Sequence, residues 1–236
     1  DLVGRVYSEE EYKKYRVALE YIFQVRNALH VTAKKKQDQV NMDILPEIST
    51  KLRIVNSVNF TKERQCMSKL LESLHTIHNF TTIMTKKITR HIVYDKKNIS
   101  LLKKYRYSKN LYIYENKLYS SFHRKPKTLN QLLKELVSLP STILEFDRAY
   151  IYFASKSKIP TTRGIEINKT IKALLYKDNL SSLMKLLYNA GLFRAVLPSL
   201  QRITHQPQFD GYHKHPVDIH SIKTVWHLEN ISDPFI

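Results

Sequence analysis

Four glycines and eight prolines in 236 residues leave the chain few places to reverse tightly. A turn-rich β sandwich needs more, so the pattern points to long helices with short connectors. Apolar residues make up 42% and aromatics 11%, enough for a packed core and against global disorder. No apolar run approaches the ~20 residues of a membrane span. No signal peptide opens the chain. No membrane partner is therefore expected, and a cytoplasmic setting fits. Cys66 stands alone, which rules out an intrachain disulfide and agrees with a reducing compartment.

Helical periodicity organises most of the chain. Ser8 and Glu11 form a capping box. Tyr12, Tyr15, Leu19, Ile22, Phe23 and Leu29 then predict one apolar face on a helix ending near Lys34. Arg26 and His30 are four apart and share a face. A second helix is expected over 42–52, entered through Asp43 with Pro46 in its first turn. Thr61 caps a third, on which Met67, Leu70, Leu71, Leu74, Ile77 and Ile83 make a buried stripe toward Ile92. The period changes after Asn98. Residues 111–114, the polar trio Glu115-Asn116-Lys117 and residues 118–122 read as a β hairpin. From Thr128 helices return, the first carrying Leu129, Leu132, Leu133, Leu136 and Leu139. The next is expected from Ser141 through Phe153, broken by Pro160 and a turn over 161–164. Two more follow at about 166–176 and 179–189, with Gly191 in the left-handed helix-end position. A last helix begins at Pro216. The expected fold class is mainly α: a multi-helix array with one small β hairpin near 105–122.

The formal charge of +18 has two readings. One is a polyanion partner such as nucleic acid. The other is a solvated, lysine-rich surface. Basic clusters at 34–36, 86–87, 103–104 and 125–127 are spread along the chain, and no known nucleic-acid motif accompanies them. The surface reading is favoured, with nucleic acid the lesser alternative.

Chemistry-bearing residues gather late. Residues 202–220 hold four of the ten histidines, and His227 follows on the next helix. Neutral imidazole and carboxylate are suitable ligands for a divalent ion, so His213, His215, Asp218 and His220 are candidates. Asp218 reads equally well as a helix cap, and buried histidines often satisfy backbone carbonyls. His75 and His78 are three apart on a helix, but no nearby carboxylate or cysteine completes a metal set, and ordinary packing is the better reading.

The run Gln206-Pro207-Gln208-Phe209-Asp210-Gly211-Tyr212-His213-Lys214-His215-Pro216-Val217-Asp218-Ile219-His220 resembles the segment that opens the HD domain of bacterial PII uridylyltransferase/uridylyl-removing enzymes. Val25-Arg26-Asn27-Ala28-Leu29-His30, with Asp38 and Asp43, resembles that family's helical segment after its nucleotidyltransferase domain. The resemblance is strong at both ends and thin in the middle. It implies a modular enzyme that moves UMP from UTP onto the PII signalling protein and removes it by metal-dependent hydrolysis. It also implies a boundary: 1–198 a helical domain, 199–236 the start of an HD domain. In it, His220 matches a metal ligand. Asp218 and His213 would orient it or stand just behind it, and Arg26 and His30 would make a polar interdomain contact. Mg or Mn is expected for the intact enzyme, with no tight binding to this chain, whose catalytic sets are incomplete: no histidine is followed by Asp, and no Gly-Ser pair occurs. His205 stands where the family pattern has glycine, and Ile219 replaces the acidic neighbour of His220. Two further expectations remain open: a basic helical adaptor for nucleic acid, and a related signalling nucleotidyltransferase without a working hydrolase.

Overall fold

The computed structural model describes residues 7–93, 105–121, 124–162, 164–209 and 215–231. Expectations for Phe122, Arg163 and His213 fall outside these. The chain packs as two compact units. Unit 1 comprises Asp1–Thr85 and Arg202–Asp218; unit 2 comprises Lys86–Gln201 and Ile219–Ile236. The segment 199–236, set apart by resemblance, is thus shared between them. The fold is mainly α with a small β element, as expected.

In unit 1, helix α1 (Glu9–Ala33) opens on the predicted capping box. The Glu11 N–H donates to Ser8 Oγ at 3.2 Å, and the Ser8 N–H donates to Glu11 Oε2 at 2.7 Å. Lys34 ends it in the left-handed region at φ +50°. Its buried face overlaps the predicted one at Leu29 but is centred on other residues. Ala18, Tyr21, Val25, Ala28 and Leu29 are buried, while Phe23 is 51% exposed. Two alanines permit close approach, a factor that side-chain hydrophobicity alone misses. Tyr12 and Tyr15 work at the helix start, where the Tyr15 ring stacks on Phe80 at 4.6 Å. A 3-10 turn (Met42–Ile44) leads into α2 (Leu45–Lys51), with Pro46 in the first turn. Helix α3 (Lys62–Val93) is capped as expected, Thr61 Oγ1 accepting the Arg64 N–H at 3.3 Å. Its apolar stripe is only part buried, and Leu74 is 48% exposed. The small core joins Ala28, Leu29, Leu45, Ile48 and Cys66.

In unit 2, four strands occur among the described residues: β1 (Tyr105–Ser108), β2 (Leu111–Tyr114), β3 (Lys117–Ser120) and β4 (Glu145–Phe146). They lie in the order β1-β2-β3-β4, antiparallel except that β4 runs parallel to β3. The predicted hairpin forms with a shorter turn. Tyr114 pairs with Lys117, leaving Glu115 and Asn116 as the two-residue loop, with Glu115 at φ +52°.

The expected helix start at Ser141 is corrected: residues 145–146 form β4, and α5 (Arg148–Ser155) begins only after Asp147. Asp147 is buried and its Oδ1 accepts the Tyr150 N–H at 2.9 Å and the Ser120 N–H at 3.2 Å. One carboxylate thereby caps a helix and joins it to the sheet. Before it, α4 (Leu129–Ser138) opens on an unpredicted Thr128–Gln131 capping box and buries Leu129, Leu132, Leu133 and Leu136. Helices α6 (Ile165–Leu175) and α7 (Leu180–Asn189) follow as expected. Gly191, at φ +70°, closes α7: its N–H reaches the Tyr188 carbonyl at 3.0 Å and the Leu192 N–H the Leu187 carbonyl at 2.8 Å. The short α8 (Phe193–Val196), a 3-10 turn (Pro198–Ile203) and α9 (Val217–Glu229) complete the described elements.

A charged network lies at the edge of this core. Glu135 Oε1 accepts from Arg124 at 2.7 Å and from the Tyr150 hydroxyl at 2.8 Å, and Lys127 also donates to the carboxylate. Burial pushes the Glu135 carboxyl up, but the hydrogen bonds from Arg124, Lys127 and Tyr150 outweigh it and hold it below the usual value of 4.5. A depressed folded value means that the stabilisation is complete above the unfolded value and is lost as pH falls through the folded one. Glu135→Gln should flatten that acid limb and cost about 3 kcal/mol at neutral pH, because it strands Arg124. Urea unfolding from neutral pH down to about 3 measures both effects.

Candidate functional site

The first set of sequence-marked residues converges. Helix α1 holds Arg26 and His30 one turn apart, and both face Asp38 in the connector. Arg26 Nε donates to Asp38 Oδ1 at 2.7 Å, and His30 Nε2 stands 3.5 Å from the same oxygen. The Arg26 hydrogen bond, with His30 adding to it, holds the Asp38 carboxyl below its ordinary range. The partner these residues have in the structure is thus a carboxylate of their own unit, at a position the resemblance also marks. The set can offer an anion a guanidinium and an imidazole only in competition with Asp38.

The second set lies in the histidine-rich segment. His205 is buried and adopts φ +57°, the left-handed region that costs a non-glycine residue about 1 kcal/mol. Glycine fills this place in the resembling family, which fits the backbone found here. What holds His205 there is Asp218, fully buried, whose Oδ2 accepts the His205 N–H at 2.6 Å and lies 3.8 Å from His205 Nδ1. The His205 ring also meets His75 of α3, with centroids 5.3 Å apart, and His75 Nε2 lies 3.0 Å from Asn79 Nδ2. Gln206 Nε2 donates to Ser68 Oγ at 3.3 Å, and the Val217 N–H reaches the Gln206 carbonyl at 3.2 Å. So His205 and Gln206 are fastened both to α3 and to the start of α9. Periodicity could not show the His75–His205 contact, since the partners are 130 positions apart.

His220 is exposed on α9, and its carbonyl accepts the Thr224 hydroxyl at 3.0 Å. His213 lies outside the described residues. Among the described residues, no three His, Cys, Asp or Glu side chains gather closely enough to hold a metal ion. The resemblance implies His220 as a metal ligand; the structure places it on the exposed side of α9, outside any such cluster among the described residues.

A feature the sequence did not indicate is a groove of about 720 Å³ in unit 2, flanked by α7 and α9. Tyr188, Ile219 and Ile222 contribute apolar lining, and Lys185, Lys223 and Trp226 are among its polar and aromatic residues. The His227 ring stands edge-on to Trp226 at 4.9 Å. Glu229 also lines it, accepting the Ser181 N–H at 2.8 Å and the Ser181 hydroxyl. Its volume is in the range of small-molecule sites.

A family model described as GlnD PII-uridylyltransferase matches residues 1–85. The chain is also similar to proteins named bifunctional uridylyltransferase/uridylyl-removing enzyme. It is 21% identical over 248 residues to that of Aliivibrio fischeri (strain MJ11), covering 96% of this chain and 26% of the relative. For Novosphingobium aromaticivorans the figures are 20% over 234 residues, with 94% and 25% covered. For Vibrio parahaemolyticus they are 22% over 251 residues, with 96% and 26% covered. The chain spans about a quarter of the length of the curated relatives it matches. No solved structure matches it. The resemblance read from residues 25–43 and 206–220 is borne out.

Asp218→Ala should destabilise unit 1 by about 2 kcal/mol, the worth of a hydrogen bond to a charged acceptor that leaves a buried donor unpaired when lost. Asp218→Asn, which keeps an acceptor oxygen, should retain most of it. Amide hydrogen exchange at His205 is the check, and unchanged protection in Asp218→Ala would remove the clamp.

Proposed function

We propose that this chain is the helical segment following the nucleotidyltransferase domain, together with the first helix of an HD-type hydrolase domain, of a bifunctional uridylyltransferase/uridylyl-removing enzyme. The parent activity transfers UMP from UTP to the PII signalling protein and removes it by hydrolysis. The observation that carries the reading is similarity over 94–96% of the chain to relatives of that name. The convergence of Arg26, His30 and Asp38 within the segment matched by the family model supports it.

In this reading His220 is a metal ligand on the exposed side of α9, and a bound Mg or Mn would activate water for hydrolysis. The adjacent His-Asp pair that such a site needs does not occur in this sequence, so in this reading the chain by itself binds metal weakly and turns over neither reaction. Asp218 acts on the site at a distance, by fixing the first turn of α9 and hence where His220 stands. Arg26, His30 and Asp38 stiffen the end of α1 where it meets the transferase side of the parent enzyme.

The test is label transfer from UTP to a PII-type protein by the product of the full reading frame. His220→Ala should leave transfer intact and slow removal of the label by more than about 100-fold, since even partners behind the ligands are worth 10–100-fold. Transfer without removal in the unaltered protein would assign the chain to a signalling nucleotidyltransferase lacking a working hydrolase. Absence of any transfer sinks the proposal.

A further inference from the structure

The positive charge is not evenly divided. Unit 2 carries 24 Lys and Arg against 9 Asp and Glu, a formal +15, whereas unit 1 carries 15 against 12. Residues 86–134 alone hold 14 basic and 2 acidic residues, with 6 of the 15 tyrosines. This stretch contains β1, β2 and β3.

Strand geometry sorts those tyrosines. Side chains alternate across a strand. Leu111, Ile113 and Leu118, with Tyr107 and Phe146, turn toward the core. The opposite face therefore carries Arg106 across from Tyr112, Tyr112 across from Tyr119, and Tyr114 across from Lys117. Tyr112, Tyr114 and Tyr119 are each part exposed and stand outside the hydrophobic core. Three rings interleaved with cations are more than solubility requires, since lysine alone would serve that end.

The spacing discriminates between partners. Tyr112 and Tyr114 lie two residues apart on one strand, about 7 Å. That is about twice the rise between stacked bases in a duplex strand. It fits bases drawn apart along an extended single strand and not a closed stack. Aromatic rings take any base, because every base has a π-face. Lys117 is shared with Glu145 at 2.7 Å, which leaves Arg106 on this face, with exposed Lys109 in the adjoining turn, as the cations open to phosphate.

We propose that this outer sheet face binds single-stranded RNA, with bases stacked on Tyr112, Tyr114 and Tyr119 and the backbone drawn by Arg106 and Lys109. RNA is the chosen strand because its loops and ends present unstacked bases routinely. The inference goes beyond the proposed uridylyltransferase role and does not rest on it.

Fluorescence anisotropy of the whole chain with a labelled oligouridylate of about 20 nucleotides tests it, at salt from about 50 to 200 mM. Binding should weaken steeply with salt. Tyr112→Thr with Tyr114→Thr, which keeps strand-forming residues but removes the rings, should weaken it at least about tenfold with the salt slope unchanged. Tyr112→Phe with Tyr114→Phe should bind within about threefold of the parent, because the ring face remains. Arg106→Ala should lower affinity and reduce the slope by about one. Circular dichroism establishes that each variant is folded. No binding at low salt overturns the proposal, as does wild-type affinity in the threonine variant. Equal affinity for duplex RNA or heparin would mean general attraction of polyanions and overturns it too. A deoxyoligonucleotide bound more tightly overturns the choice of RNA.

Discussion

A backbone N–H taken out of water must find an acceptor, and in both units that demand falls on a buried aspartate. Asp147 takes the amides of Ser120 and Tyr150, where β3 and the start of α5 meet. Asp218 takes the amide of His205, where the histidine-rich segment folds back to the start of α9. In each case a carboxylate accepts from a segment remote in sequence and sits in the first turn of a helix or just before it. There the helix field favours negative charge. The first aspartate caps α5 and ties it to the sheet; the second ties the turn at His205 to the start of α9.

The two stretches that carry the resemblance to uridylyltransferases are about 170 residues apart, yet both fall largely in unit 1. Unit 2, where the resemblance is thin, holds most of the charge and all of the described sheet. The boundary that the resemblance implies runs 1–198, while packing groups 202–218 with 1–85.

Much of the helical layout was legible. Ser8–Glu11, Thr61 and Gly191 announced helix ends through the hydrogen bonds those residue types make, and α4, α6 and α7 showed strong periodicity. The misreadings have particular causes. Phe23 looked like core because it is large, but the close packing of α1 uses Ala18 and Ala28. Residues 141–146 looked helical because Ile143, Leu144 and Phe146 are apolar. A two-residue strand bonded to β3 through its backbone leaves no period to detect. Of the candidate site, His220 and the Arg26–His30 pair could be named from sequence. The convergence on Asp38 and the meeting of His75 with His205 could not, because both depend on chain folding between distant positions. The charge looked dispersed when counted along the chain and became lopsided only once residues were grouped by packing.

That lopsidedness acts on the folded state itself. Like charges crowded on one small body repel, and the compact form suffers more than the expanded one. Dissolved ions shorten the reach of that repulsion to roughly 10 Å at 0.1 M. The basic half of this protein is thus a polyelectrolyte as well as a fold, tightened by electrolyte or by any bound polyanion, while its nearly neutral companion responds far less to either.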